Sequence, residues 1–189
     1  MQSLVAPGIC AYPQQVSAIA GQHGLILLDD DAVCAARALA ARLVGGEVAP
    51  DSAFVAVQHA AGAAIFGFFE RAEMTALLAA FPVNARGLDL LQRGSFDAIK
   101  IDLKTIAPPG ETPSAYYGWG FAAATKDGGR AVVKASAQIH RDLYWAIPTF
   151  ARAVTADGLR ALSAIDFQPT NGADRSLLWI PANAFVPVR

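Results

Sequence analysis

The apolar positions of this chain repeat with two periods, and the switches between them mark its elements. Pro13 to Ala20 reads as a short helix entered through proline, and Gly24-Leu25-Ile26-Leu27-Leu28 as a short buried strand. Asp29, Asp30 and Asp31 offer N-cap oxygens and negative charge to a helix from Ala32 to Leu43. Its Val33, Ala36, Leu39, Ala40 and Leu43 share one face, and Gly45-Gly46 ends it. Ser52 to Gln58 and Ala63 to Glu70 predict two strands of a hairpin around His59-Ala60-Ala61-Gly62. Ala72 to Ala80 predicts a helix that stops before Pro82, and Ala85 to Gln92 a second that ends at Gly94.

From Phe96 to Ile106 the alternation is clear: Ile99, Ile101 and Leu103 fall on one face, and Lys100, Asp102 and Lys104 on the other. This predicts a strand with one wet face. After Pro108-Pro109-Gly110, Tyr116 to Ala124 predicts a strand with Tyr117, Trp119 and Phe121 on one face. The opposite face, Gly118, Gly120, Ala122 and Ala124, is nearly bare backbone. A helix from Gly129 to Trp145 follows, then a strand from Phe150 to Val154 and a helix from Ala156 to Ile165. Phe167 and Leu177 to Pro181 complete a last strand or hairpin. Helices alternating with strands in the second half predict an α/β chain with a mixed sheet covered by helices on both faces. The helix after Tyr116–Ala124 is expected to be a right-handed crossover.

Composition narrows the classes of function. Of 189 residues 54% are hydrophobic and 16% charged, enough apolar side chains for a substantial core in a single domain. A formal net charge of −1 gives no electrostatic reason to expect nucleic acid or an anionic membrane as partner. Apolar runs such as Ala60–Phe69 fall short of the roughly 20 residues that span a bilayer. The start MQSLVAPGICAYPQQ lacks the basic opening and long apolar stretch of a secretory signal. Cys10 and Cys34 have no metal-ligand spacing, and no histidine pair has the spacing of a zinc helix, so no metal site is expected. The expected location is the cytoplasm, and the apolar fraction leaves room for a homodimer.

One stretch hints at chemistry. Strand, glycine-rich turn and helix N-terminus follow one another in YYGWGFAAATKDGGRA, Tyr116 to Ala131, the arrangement that presents backbone N–H groups to a phosphate. An ordinary strand-to-helix turn explains the same glycines. Neither a Walker pattern nor a complete dinucleotide-binding glycine fingerprint is present.

On these residues the second half resembles the Gcn5-related N-acetyltransferase (GNAT) superfamily. Lys126-Asp127-Gly128-Gly129-Arg130-Ala131 is similar to that family's pyrophosphate loop, with Lys126 in place of its Gln or Arg. The segment Thr155 to Phe167 resembles the helix after the family's fifth strand, with Phe167 at its Phe and Asp166 in place of its Gly. The resemblance covers roughly Ala115 to Pro181, so residues 1–114 form the N-terminal, acceptor-side part of one domain and 115–181 the coenzyme-binding part.

The resemblance implies an acyl-CoA-dependent N-acyltransferase, with acetyl-CoA or another acyl-CoA as co-substrate and a small-molecule or protein amine as acceptor. It assigns coenzyme contacts to Phe121, Ala122, Ala123, Lys126, Gly128, Gly129, Arg130 and Ala131, the diphosphate resting on the amides of Gly128 to Ala131. Two family features are missing. Leu162 and Ser163 stand where a general-acid Tyr is common, and the strand Tyr116–Ala124 has no acidic residue. Glu70 and Tyr144 are the remaining catalytic candidates, Glu70 to recruit an amine and Tyr144 as a substitute acid. A solvated strand end explains Glu70 equally well. The missing acid leaves open a GNAT-fold protein that binds a ligand or partner without catalysis. An unrelated α/β protein binding another phosphate-bearing ligand is the third reading.

Overall fold

The computed structural model describes residues 13–44, 47–172 and 174–183. Residues 1–12, with Cys10, and the Gly45-Gly46 pair read as a helix stop lie outside them. A seven-stranded sheet runs through both parts of the chain, in the order β1-β2-β3-β4-β5-β7-β6. Its strands are β1 (Leu25–Leu27), β2 (Ile65–Glu70), β3 (Glu73–Val83), β4 (Ala115–Ala123), β5 (Thr149–Arg152), β6 (Gln168–Pro169) and β7 (Leu177–Ile180). Every neighbouring pair is antiparallel except β4 and β5, which are parallel and joined by the crossover helix α5 (Lys126–Ile139).

Helices cover both faces. On one, α2 (Asp30–Val44), α3 (Asp51–Ala61) and α4 (Ala85–Gln92) enclose a core that includes Val33, Phe54, Leu77, Phe81 and Tyr117. On the other, α1 (Pro13–Gln22) and α5 bury Val16, Ile19, Phe66, Leu78, Val132 and Ile139 against the sheet. Beside them α6 (Ala156–Ser163) buries Leu162 with Ile165 and Phe167.

Three expected elements take another form. Ser52–Gln58, read as a strand, belongs to helix α3, whose Phe54, Val57, Gln58 and Ala61 face inward at helical spacing. Gln58 locks that helix to the sheet edge. Its Nε2 donates to Leu28 O at 2.8 Å, and its Oε1 accepts from the amides of Ala64 and Ile65 at 2.9 Å each. Ala72–Ala80, read as a helix, is the central strand β3. Thr75 to Val83 are buried without interruption, so packing on both faces overrides their helical propensity. Phe96–Ile106, read as a strand, is irregular. Asp97 Oδ1 accepts from the amides of Ile99 and Lys100, and Asp102 caps a 3₁₀ turn at Leu103–Thr105.

The second half keeps closer to expectation. Asp166 takes the left-handed backbone conformation (φ 66°) at the end of α6, and Phe167 N–H closes back on Leu162 O at 3.2 Å. Aspartate tolerates that conformation better than most side chains, which explains how it replaces a glycine.

The last turn before β5 is a π-helical segment, His140–Tyr144, and it holds a titratable group in the core. His140 is 2% exposed, its Nδ1 lies 2.8 Å from Thr149 Oγ1, and its Nε2 has no hydrogen-bond partner among the described residues. Burial lowers its pKa to about 4 from the ordinary 6.5. Between those values the unfolded chain binds a proton that the folded chain refuses. Stability is therefore full above about pH 6.5 and falls as pH drops toward 4, by roughly 3 kcal/mol for a shift of this size. Urea unfolding at pH 7 and pH 4.5 should show this loss, and His140→Gln should remove that share of it; an equal loss in the variant would contradict the assignment.

Candidate functional site

The site begins with a bulge. Opposite β3, Ala80 pairs with Gly118 and Ala79 with Gly120, so Trp119 is an extra residue in β4. The extra residue resets the alternation of side chains. Tyr117, Trp119 and Ala122 face the α2/α3 core, whereas Phe121 packs on the α5/α6 side. The expected single aromatic face and bare glycine face are thus corrected. Phe121 lies over Gly118, where an added Cβ would meet its ring at 2.5 Å.

The bulge coincides with a fork in the sheet. β4 and β5 pair only through Tyr116–Thr149, Tyr117–Phe150 and Gly118–Ala151. Beyond that, β4 continues along β3 to Ala123 while β5 continues along β7, so one edge of Trp119–Ala123 has no strand partner among the described residues. A cavity of about 690 Å³ fills the fork and reaches both faces of the sheet. On the α5/α6 side its walls include Phe121, Gly129, Val132, Val133 and Leu162. On the α2/α3 side they include Leu43, Val48, Phe54, Phe96, Ile99 and Trp119.

Both strands of the fork end in the same six-residue pattern, Thr-x-Asp-Gly-x-Arg, at Thr125–Arg130 and Thr155–Arg160. In each, the Thr hydroxyl accepts from the Gly amide (Gly128 at 3.2 Å, Gly158 at 3.0 Å) and the Asp pairs with the Arg three residues on. The two helices therefore start alike, one on each arm of the fork. The signal for this repeat in the sequence is a matched cap after each strand.

The residues assigned to coenzyme fall into two groups. Phe121, Ala122, Ala123 and Gly129 line the cavity; Lys126, Gly128, Arg130 and Ala131 do not. Helix α5 begins at Lys126, so the supposed loop is its first turn. Gly128 N–H is spent on Thr125 Oγ1 and Gly129 N–H on Thr125 O, leaving Lys126 and Asp127 as the amides at the open end. Gly128 is buried against Ala76, and Arg130 pairs with Asp127 on the surface. Neither catalytic candidate lines the cavity. Glu70 Oε1 accepts from Thr125 Oγ1 at 3.0 Å, steadying the cap of α5, and Tyr144 is buried in the α1/α5 core, stacked on Tyr116.

A polar cluster not foreseen from the sequence lies on the α2/α3 wall. Arg152, at the end of β5, donates through Nε to Asp174 (2.9 Å), through Nη1 to Tyr117 Oη (3.1 Å) and through Nη2 to Phe96 O (3.0 Å). Burial raises the Tyr117 pKa, and the neighbouring guanidinium offsets only part of that, so the phenol stays protonated. Burial opposes the charge on Asp174, yet bonds from Ser176 and Arg152 outweigh it and hold that carboxyl below its ordinary range. Trp119 Nε1 donates to Ala98 O at 2.7 Å. Phe96 and Ala98 are thus both pinned, and Asp97 between them lines the cavity. Among the described residues no His/Cys/Asp/Glu group fits a metal ion, and no helix is long and apolar enough to cross a membrane.

No protein-family model matches the chain, and no curated protein matches it. A solved structure does: N-acetyltransferase from Staphylococcus aureus Mu50, with a TM-score of 0.50 over 82% of this chain and 99% of that one, at 10% sequence identity. At that identity the likeness concerns architecture alone: the forked mixed sheet with helices on both faces is similar to the fold of that N-acetyltransferase.

Proposed function

We propose that the protein is an acyl-CoA-dependent N-acyltransferase, and the observation that carries this reading is the cavity running through the β4–β5 fork. A pantetheine arm is a chain of amides, and an unpaired strand edge offers amides a ladder of hydrogen bonds. Backbone N–H groups on that edge can polarise a thioester carbonyl without any special side chain. The N-terminus of α5, with the Lys126 and Asp127 amides and Lys126 itself, suits the diphosphate. Gly129 lines the cavity at that end, where a larger side chain would intrude.

The acceptor then enters from the α2/α3 side and its neutral nitrogen attacks the thioester carbon. A C–N bond forms, the C–S bond breaks, coenzyme A leaves as the thiol, and the proton lost by nitrogen balances the one gained by sulfur. Leu162, at the usual position of the acid, is an apolar wall of the cavity. The fork therefore contributes through positioning and backbone dipoles.

Acetyl-CoA at millimolar concentration should raise the thermal midpoint. At about 100 times its dissociation constant, binding to the folded state alone adds about 2.7 kcal/mol, or roughly 5–10 °C for a chain of this size. Gly129→Glu should abolish the shift by placing bulk and negative charge in the fork. Gly129→Ala should keep it, because the added Cβ meets only Ala123 Cβ at 3.6 Å. No shift at saturation, or a shift indifferent to Gly129→Glu, would reject the site. A shift without thiol release for any amine would favour the non-catalytic binding protein.

A further inference from the structure

Resting on the acyltransferase reading, we propose that the acceptor is a monoamine on an apolar body, aromatic or branched aliphatic and without a carboxylate, which is recognised by Asp97 as an ammonium and gives one proton to solvent before its neutral nitrogen attacks. The α2/α3 half of the cavity is walled by Leu43, Val48, Phe54, Phe96, Ile99 and Trp119, far more apolar surface than an acetyl group needs. Such a wall rewards an acceptor with a hydrocarbon body.

Charge settles the rest. Arg152 is the one cation lining the cavity among the described residues, and each of its three guanidinium nitrogens already donates to a protein partner, with Asp174 beside it. It has little to offer a carboxylate on the acceptor. Asp97 is the opposite case. Both of its backbone bonds fall on Oδ1, from Ile99 N–H at 2.8 Å and Lys100 N–H at 2.9 Å. Oδ2 has no hydrogen-bond partner among the described residues. Those two amides hold the carboxyl below its ordinary range, so it is anionic at neutral pH. Its segment is fixed on each side by the Arg152–Phe96 and Trp119–Ala98 bonds, which makes Asp97 a positioned charge. Glu47 lines the same cavity and adds to the negative potential. Lys100 and Arg152 both attract the exposed Asp97 carboxylate, but Lys100 lines the neighbouring groove with Arg37 and not this cavity, and Arg152 is committed to its own three partners.

The test uses matched amines. Phenethylamine, phenylalanine and spermidine differ in carrying an apolar body alone, the same body with a carboxylate, or several charges with no apolar body. Binding of each is read by tryptophan fluorescence, since Trp119 lines the chamber, and turnover by thiol release from acetyl-CoA. Phenethylamine should bind and react at least tenfold better than either competitor. Asp97→Asn keeps the Oδ1 acceptor and removes the charge; it should weaken phenethylamine binding roughly tenfold, the weight of one charge-assisted contact. Preference for phenylalanine or spermidine, or phenethylamine binding indifferent to Asp97→Asn, overturns the proposal. Failure of acetyl-CoA to bind while phenethylamine still binds through Asp97 would sink the transferase reading and leave the chamber assignment standing.

Discussion

Arg152→Met is expected to destabilise the protein by about 1–3 kcal/mol, between the weight of an exposed ion pair and that of a buried one. The methionine fills most of the volume, so the loss is electrostatic and comes from what is left behind. Asp174, Tyr117 Oη and Phe96 O each lose a donor in a setting where water reaches poorly. The side chains of Arg152 and Asp174 are 17% and 26% exposed, which puts the pair between those two limits. Urea unfolding of Arg152→Met, Asp174→Asn and the double variant should give a double-variant loss clearly smaller than the sum of the singles. Simple additivity would mean that the pair is a surface contact of little weight. The same substitution should weaken acceptor binding, because Phe96 loses its anchor and the segment carrying Asp97 loosens.

Gly128→Val is expected to cost about 1–3 kcal/mol as an overpacking change and to remove the acetyl-CoA stabilisation as well. A Cβ on Gly128 would sit 2.7 Å from Ala76 Cβ and 3.1 Å from Thr125 Oγ1. Neither neighbour is the free end of a flexible side chain, so the start of α5 must lift off β3. Lifting breaks the Gly128–Thr125 cap and moves the Lys126 and Asp127 amides. Thermal melts with and without acetyl-CoA separate the two losses. Gly129→Ala, one residue along, is the control, and equal behaviour of the two variants would show that the helix start is not tightly seated.

The two glycines illustrate what the sequence could convey. That a strand ends near Ala124 and a helix follows was legible from local signals, the glycines and the alternating aromatics before them. The strand near Phe150, the helix from Ala156 and the turn at Phe167 were legible for the same reason. The first half was harder. Glu73–Val83 is rich in alanine and leucine, good helix formers, and only its burial between α2 and α5 makes it a strand. Asp51–Ala61 carries β-branched valines, yet its inward positions keep helical spacing. The site itself was legible only in outline. A bulge is decided by the register of the partner strand, so nothing local to Trp119 announces it, and it moved Phe121 to the opposite face. Arg152, Asp174, Tyr117 and Phe96 are scattered over 79 positions and meet only in the folded chain, and Asp97 acquires meaning only through them.

The fork has a consequence for how this protein can diverge. Its proposed work with the coenzyme falls on an unpaired strand edge and on amides at a helix start, groups that every residue except proline supplies. Substitution can therefore replace nearly all the side chains around such a fork while its geometry stays under selection. Two chains can then keep a similar architecture at 10% identity, as seen with the staphylococcal structure. The proposed acceptor wall is under the opposite regime, since any specificity there resides in side chains, and a change at Asp97 or Phe54 is expected to alter which ligand fits without touching the fork.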